Sequence, residues 1–143
     1  MSLSFDGQRG LIVVPVRVTG PSGTAVVRLA LDTGATRTLI NTSLLVAVGY
    51  DPATAVERSE VTTGSGVEYA ALVPISKIEA LGREFTQFHV LAHTLPPSAS
   101  VDGVLGLDFL RGQLLSIDFR NGRLTLAEPS HPADRKPPGQ SQA

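Results

Sequence analysis

The feature that most limits what this chain can become is its punctuation: short runs rich in Val, Ile, Leu and Thr, roughly four to eight residues each, separated by Gly, Pro, Asn or Ser. Branched side chains pack well on a pleated surface and such runs are short for helices, so the pattern predicts a small all-β domain. Strands are expected at 11–19 and 24–31 about a turn at Pro21-Ser22-Gly23, at 38–41, and at 56–62 and 67–75 about Thr63-Gly64-Ser65-Gly66. Further strands follow at 78–81 and 84–92 about Gly82, at 103–105, and at 113–119 and 123–126 about the hairpin signal Asn121-Gly122. Helical patterning is scarce. One short helix is expected through Leu44, Leu45 and Val48, capped by Thr42 or Ser43, ended by Gly49 and stopped by Pro52, and one helical turn at 107–110.

A chain of 143 residues is about one domain long. From Glu128 onward four of the ten prolines gather among few apolar residues, which predicts a folded domain over 1–127 and a disordered Pro-rich tail over 128–143. The net charge of -1, with no run of Lys or Arg, offers no footprint for a phosphate backbone, so no nucleic-acid partner is expected. No stretch approaches the roughly 18 apolar residues of a membrane span. The first apolar run, 11–14, has no basic cluster ahead of it, and the expectation is a cytoplasmic protein without a membrane partner. With no Cys, disulfides and thiolate metal sites are excluded.

The chemistry concentrates where the apolar run Leu29-Ala30-Leu31 meets Asp32-Thr33-Gly34-Ala35. Burying that strand puts Asp32 at the lip of the core, where a carboxylate is costly unless hydrogen bonds or charges compensate. Gly34 permits a close approach by another backbone. Taken alone, Asp-Thr-Gly is also ordinary turn chemistry, with Asp32 bonding its own backbone two residues on. Two other features accompany it: the Gly-tipped hairpin in mid-chain, and Val104-Leu105-Gly106 followed by Leu107-Asp108-Phe109-Leu110. The apolar runs ending in Gly turns at 29–34 and 101–106 also hint at an internal duplication.

With those three features in that order, the chain resembles the retroviral-type aspartic proteases, the retropepsins, and more closely their bacterial single-domain relatives, over about residues 11–126. The resemblance implies a small closed β-barrel-like acid protease fold with one or two short helices, and an aspartic endopeptidase that needs no cofactor and no metal. It implies that Asp32 is catalytic, that Thr33 braces the active-site loops across the dimer, and that Thr33, Gly34 and Ala35 belong to the substrate-binding set, Gly34 offering its carbonyl to the substrate backbone. The hairpin 61–69 corresponds to the flap, with Thr63, Gly64, Ser65 and Gly66 over the substrate, and Val104-Leu105-Gly106 supports the active-site loop from beneath. Val61, Val67, Val104 and Leu105 are expected to line apolar substrate pockets. Viral members carry Asp after the Ala and Arg after the late Gly, and those two pair; here the positions hold Thr36 and Leu107, so both partners are absent together. The chemistry requires two carboxylates, whereas the chain has one Asp-Thr-Gly, so the implied partner is a second copy, in a homodimer acting on a peptide or protein. The alternative is a non-catalytic peptide-binding or dimerisation module on the same fold.

The other acids beside apolar runs read as structural: Asp102 in a turn with Gly103, Asp108 bonding backbone at the helical turn, Asp118 ahead of Asn121-Gly122. His89 and His93 lie four apart in a predicted strand, more than roughly 10 Å at strand rise, and with His131 do not make a metal site. Ser65 lacks a nucleophile-elbow context, and Gly64-Ser65-Gly66 lacks the Lys of a phosphate loop.

Overall fold

A computed structural model describes residues 1–127, and the tail expected over 128–143 lies outside the described residues. The elements in chain order are β1 (Ser2–Ser4), β2 (Val13–Gly20), β3 (Gly23–Leu31), β4 (Leu39–Asn41), α1 (Thr42–Ala47), β5 (Glu57–Thr63), β6 (Gly66–Ala80), β7 (Arg83–His93), β8 (Gly103–Leu105), α2 (Leu107–Leu110), β9 (Leu114–Asp118) and β10 (Arg123–Ala127). Strands β2-β3-β8-β4-β7-β6 form a mixed sheet that closes on itself through β2 and β6, so the body is a six-stranded barrel, with β5 added outside β6. A second sheet, β1-β10-β9, stands beside it. Among the described residues no helix is long and apolar enough to cross a membrane.

Alternation builds the barrel wall. Val14, Val16 and Val18 of β2 point inward while Pro15 and Arg17 face out, and Val27 and Leu29 of β3 repeat the pattern across the two-residue turn between Gly20 and Gly23. Phe109 of α2 is fully buried and meets the Phe85 ring edge-on at a centroid distance of 5.0 Å, which ties the late helix to the start of β7.

The segments 67–75 and 78–81, expected as separate strands, are one strand of 15 residues, β6. The ladder with β7 skips one pair, between Ile75–Phe88 and Lys77–Thr86, where Gln87 takes a left-handed φ of 51°. The Ser76 N–H instead donates to the Tyr50 hydroxyl at 2.8 Å, and that hydroxyl donates to the Thr19 carbonyl of β2 at 2.6 Å. Before the break the other edge of β6 pairs with β5; after it, with Arg17–Thr19 of β2. One strand thereby serves both the projecting hairpin and the closing seam. The cap of α1 also differs from expectation: Asn41, not Thr42 or Ser43, accepts from the Ser43 N–H, because β4 runs into the helix without a linker.

The two ends of the chain's chemistry cross here. β8 lies parallel to β3 and antiparallel to β4, so residues 29–31 and 103–105, the two runs that hinted at a duplication, sit side by side. Leu105 accepts the Asp32 N–H at 3.0 Å, Ala35 accepts the Leu107 N–H at 2.8 Å, and Thr36 accepts the Asp108 N–H at 3.2 Å. The Asp108 carboxylate takes the Thr38 N–H at 2.9 and 3.0 Å, the Thr38 hydroxyl at 2.7 Å and the Phe109 N–H at 2.9 Å. The fully buried Thr38 hydroxyl in turn accepts the Gly106 N–H at 3.1 Å. Asp108 thus bonds backbone at the helical turn as its sequence position implied, but its main partner is 70 residues away. Asp102 departs from a local turn role: its carboxylate accepts the Arg28 N–H of β3 at 2.7 Å.

The crossing leaves no room for side chains at two glycines. A Cβ on Gly103 would overlap the Leu39 carbonyl, and one on Gly106 would lie 2.7 Å from the Arg37 carbonyl carbon. Gly103→Ala is expected to lower the unfolding free energy in urea by about 3 kcal/mol, whereas Gly64→Ala, whose added methyl meets nothing within 4 Å, changes it by less than about 0.5 kcal/mol. Thr38→Val keeps the volume but strands the Gly106 N–H and one carboxylate lone pair, so a loss of about 2 kcal/mol is expected in the same assay, with most of it recovered by Thr38→Ser.

Candidate active site

Asp32 follows the last residue of β3, and its backbone is held from both sides: the Leu31 N–H donates to Ile12 at 2.8 Å and the Asp32 N–H to Leu105 at 3.0 Å. The chain then turns within two residues. The Gly34 N–H donates to Asp32 Oδ1 at 2.9 Å and the Ala35 N–H to the Asp32 carbonyl at 3.2 Å. The turn chemistry that Asp-Thr-Gly can supply on its own is therefore present. It engages one carboxylate oxygen only; Oδ2 has no hydrogen bond among the described residues. A side chain at Gly34 would begin 3.2 Å from Oδ1 and crowd the carboxylate. Asp32 is half-buried, while Thr33 and Gly34 are exposed.

Asp32 opens onto a cleft of about 610 Å³, within the size range of small-ligand and peptide-side-chain sites. One wall is the pinned loop, contributing Gly34, Ala35, Thr36 and Arg37; the other is the β5 edge of the hairpin, from Ser59 to Thr62. Leu39, Leu91 and Val104 give an apolar base, continued by Val61. These come from four strands that the barrel brings together: β4 pairs with both β7 and β8, which aligns Leu39 with Leu91 on one side and Val104 on the other.

The expected pocket residues divide. Val61 and Val104 line the cleft. Leu105 does not, since it is fully buried: neighbours in a strand face opposite ways, and only one of Val104 and Leu105 can look outward. Val67 is 58% exposed on β6 and is not part of the lining. Of the residues expected to contact substrate, Gly34 and Ala35 border the cleft beside Asp32, Thr33 does not, and Thr63 closes β5 opposite Gly66. Gly64 and Ser65 form the hairpin turn and Gly66 opens β6, all beyond the lining residues.

Sequence reasoning missed Arg37, Leu39, Ser59, Glu60 and Leu91 as cleft residues. The alternation around Val104 and the position of Arg37 five residues after Asp32 were the available signals, but neither says which distant segment faces them. Asp102, Asp108 and Asp118 are occupied elsewhere. Asp118 is held below the ordinary carboxylate range by the Asn121 side-chain amide first, with help from the Asn121 and Arg120 N–H groups and Arg123. His89 and His93 lie on β7, and among the described residues no three His, Asp or Glu side chains gather as metal ligands.

No curated protein sequence matches this chain. Among solved structures, the fold is similar to the crystal structure of a retropepsin-like aspartic protease from Rickettsia conorii, with a TM-score of 0.65 at 18% identity, covering 89% of this chain and 91% of that one. The family model described as aspartyl protease matches residues 14–109, a span that begins inside β2, includes Asp32 and the hairpin, and ends with Phe109 in the crossing. That match covers more than half of the sequence, and on the retropepsin-like barrel described above it shows that the chain belongs to the aspartyl protease family.

Proposed function

We propose that the chain is an aspartic endopeptidase acting as a homodimer, in which Asp32 and Asp32 of the partner subunit share one proton across a twofold axis. The observation that carries this reading is the setting of Asp32: a carboxylate with one oxygen held by the Gly34 N–H, on a backbone pinned by Leu105, facing an open cleft with apolar residues at its base. A group meant only to close a turn has no need of that pinning or that cleft.

Amide hydrolysis by water needs a base to take the water proton and an acid to protonate the carbonyl oxygen. Two carboxylates about 3 Å apart cannot both ionise, so one pair supplies both, as established for pepsin-type enzymes. The cleft holds one other acid, Glu60, but it accepts from the Tyr69 hydroxyl at 3.2 Å on its own hairpin. A second copy of the chain supplies an equivalent Asp32 by symmetry, the isologous arrangement of a C₂ dimer. The β5–β6 hairpin acts as the flap: an extended peptide lies between its β5 edge and the 32–37 loop, bound by strand-like hydrogen bonds, with side chains in the apolar base.

Asp32→Asn is expected to lower kcat/KM for a cleavable peptide by at least about 100-fold, since it removes the shared proton chemistry, while sedimentation and the unfolding midpoint stay as in the native chain. Undiminished cutting by the variant rules out the mechanism. Specific activity is expected to rise with protein concentration until the dimer saturates and then level off, with a bell-shaped pH profile belonging to the pair. A dimer that binds peptides but cuts none would instead fit a non-catalytic module.

A further inference from the structure

We infer that Arg37 selects an acidic side chain in the substrate, so that the cleft takes peptides combining apolar residues at the cut bond with an Asp or Glu nearby. This rests on the cleft being the peptide site proposed above. Among the described residues lining the cleft, Arg37 is the one cation, and it has neither an ion pair nor a hydrogen bond there. The described ion pairs are Arg9–Asp6 and Lys77–Glu79, both elsewhere.

The position of Arg37 is fixed even though its side chain is exposed. The carbonyls of Ala35 and Thr36 before it accept from Leu107 and Asp108, the Thr38 N–H after it donates to Asp108, and its own carbonyl lies against Gly106. Because the backbone is already fixed, binding need not order the loop, and the guanidinium offers a planar fork matched to a carboxylate. Neither acid of the cleft pairs with it: Asp32 Oδ1 accepts the Gly34 N–H, and Glu60, on the hairpin, accepts the Tyr69 hydroxyl. Asp32 in the same cleft disfavours an acidic group directly beside it. The apolar base formed by Leu39, Leu91, Val104 and Val61 therefore receives the residues at the cut bond, and the carboxylate seats farther out, at Arg37.

The test uses peptides with an apolar pair at the centre and Glu, Gln or Lys at each flanking position, with the native chain, Arg37→Gln, Arg37→Lys and Arg37→Glu. Cleavage by the native chain is expected to favour Glu over Gln at one position by about ten-fold in kcat/KM, a ratio that shrinks with added salt. The ratio falls to about one in Arg37→Gln, persists in Arg37→Lys and turns in favour of Lys in Arg37→Glu. A native ratio near one at every position, or a ratio unchanged in Arg37→Gln, overturns the inference while leaving the protease reading intact. Binding of the same labelled peptides to Asp32→Asn, followed by fluorescence anisotropy, separates the two ideas. Glu-selective binding without cleavage by the native chain sinks the protease reading alone, and absence of both charge selectivity and cleavage sinks both.

Discussion

The structure depends on a hydrogen-bonded crossing between two segments about 70 residues apart, with the buried Thr38 hydroxyl at its centre. That hydroxyl donates to Asp108 and accepts from Gly106, so a single side chain ties the loop after Asp32 to the loop before α2. A half-buried carboxylate is costly unless its lone pairs are used, and Asp108 uses its oxygens on Thr38 and the Phe109 N–H. Satisfying it in this way turns a liability into a geometric constraint: the chain from 32 to 38 has little freedom left, and Asp32 and Arg37 inherit their positions from it.

Barrel closure is the second constraint and works at the opposite end of β6. A strand of 15 residues cannot pair with β5, β7 and β2 in one flat ladder, because strands twist. The interruption at Ser76 and Gln87 relieves this, and the Tyr50 hydroxyl fills the backbone bond that the ladder gives up while anchoring β2. The seam holds the barrel shut, and the outer half of β6 is left free of it to carry the hairpin that walls the cleft. The cleft thus has a pinned loop on one side and a projecting hairpin on the other.

Much of this was legible in residue order. The β2–β3 hairpin, β8 at Gly103–Leu105 and α2 at Leu107–Leu110 follow the sequence expectation closely, because Gly and Pro mark their ends and alternation marks their faces. Other elements were not legible. β1, Ser2–Ser4, is too short and polar to announce a strand and becomes one only by pairing Leu3 with Leu124 at the far end of the domain. The unity of β6 was not legible, since 67–75 and 78–81 were expected as separate strands and nothing local shows that a tyrosine 26 residues away accepts the Ser76 N–H between them. Leu105 was assigned to a pocket because its neighbour belonged there, and period-two geometry puts it in the core instead.

By itself the sequence determined that an apolar strand ends in a carboxylate followed by Gly, and that two later positions, 103 and 106, carry no side chain. Those are local properties, written in residue types and spacing. Tertiary structure alone decided what surrounds that carboxylate: which oxygen is bonded, that Asp108 seats the loop, and that Arg37, Glu60 and Leu91 share its cleft. The reason is physical. Alternation tells which face a residue takes, but only long-range strand pairing decides which distant segment comes to cover that face.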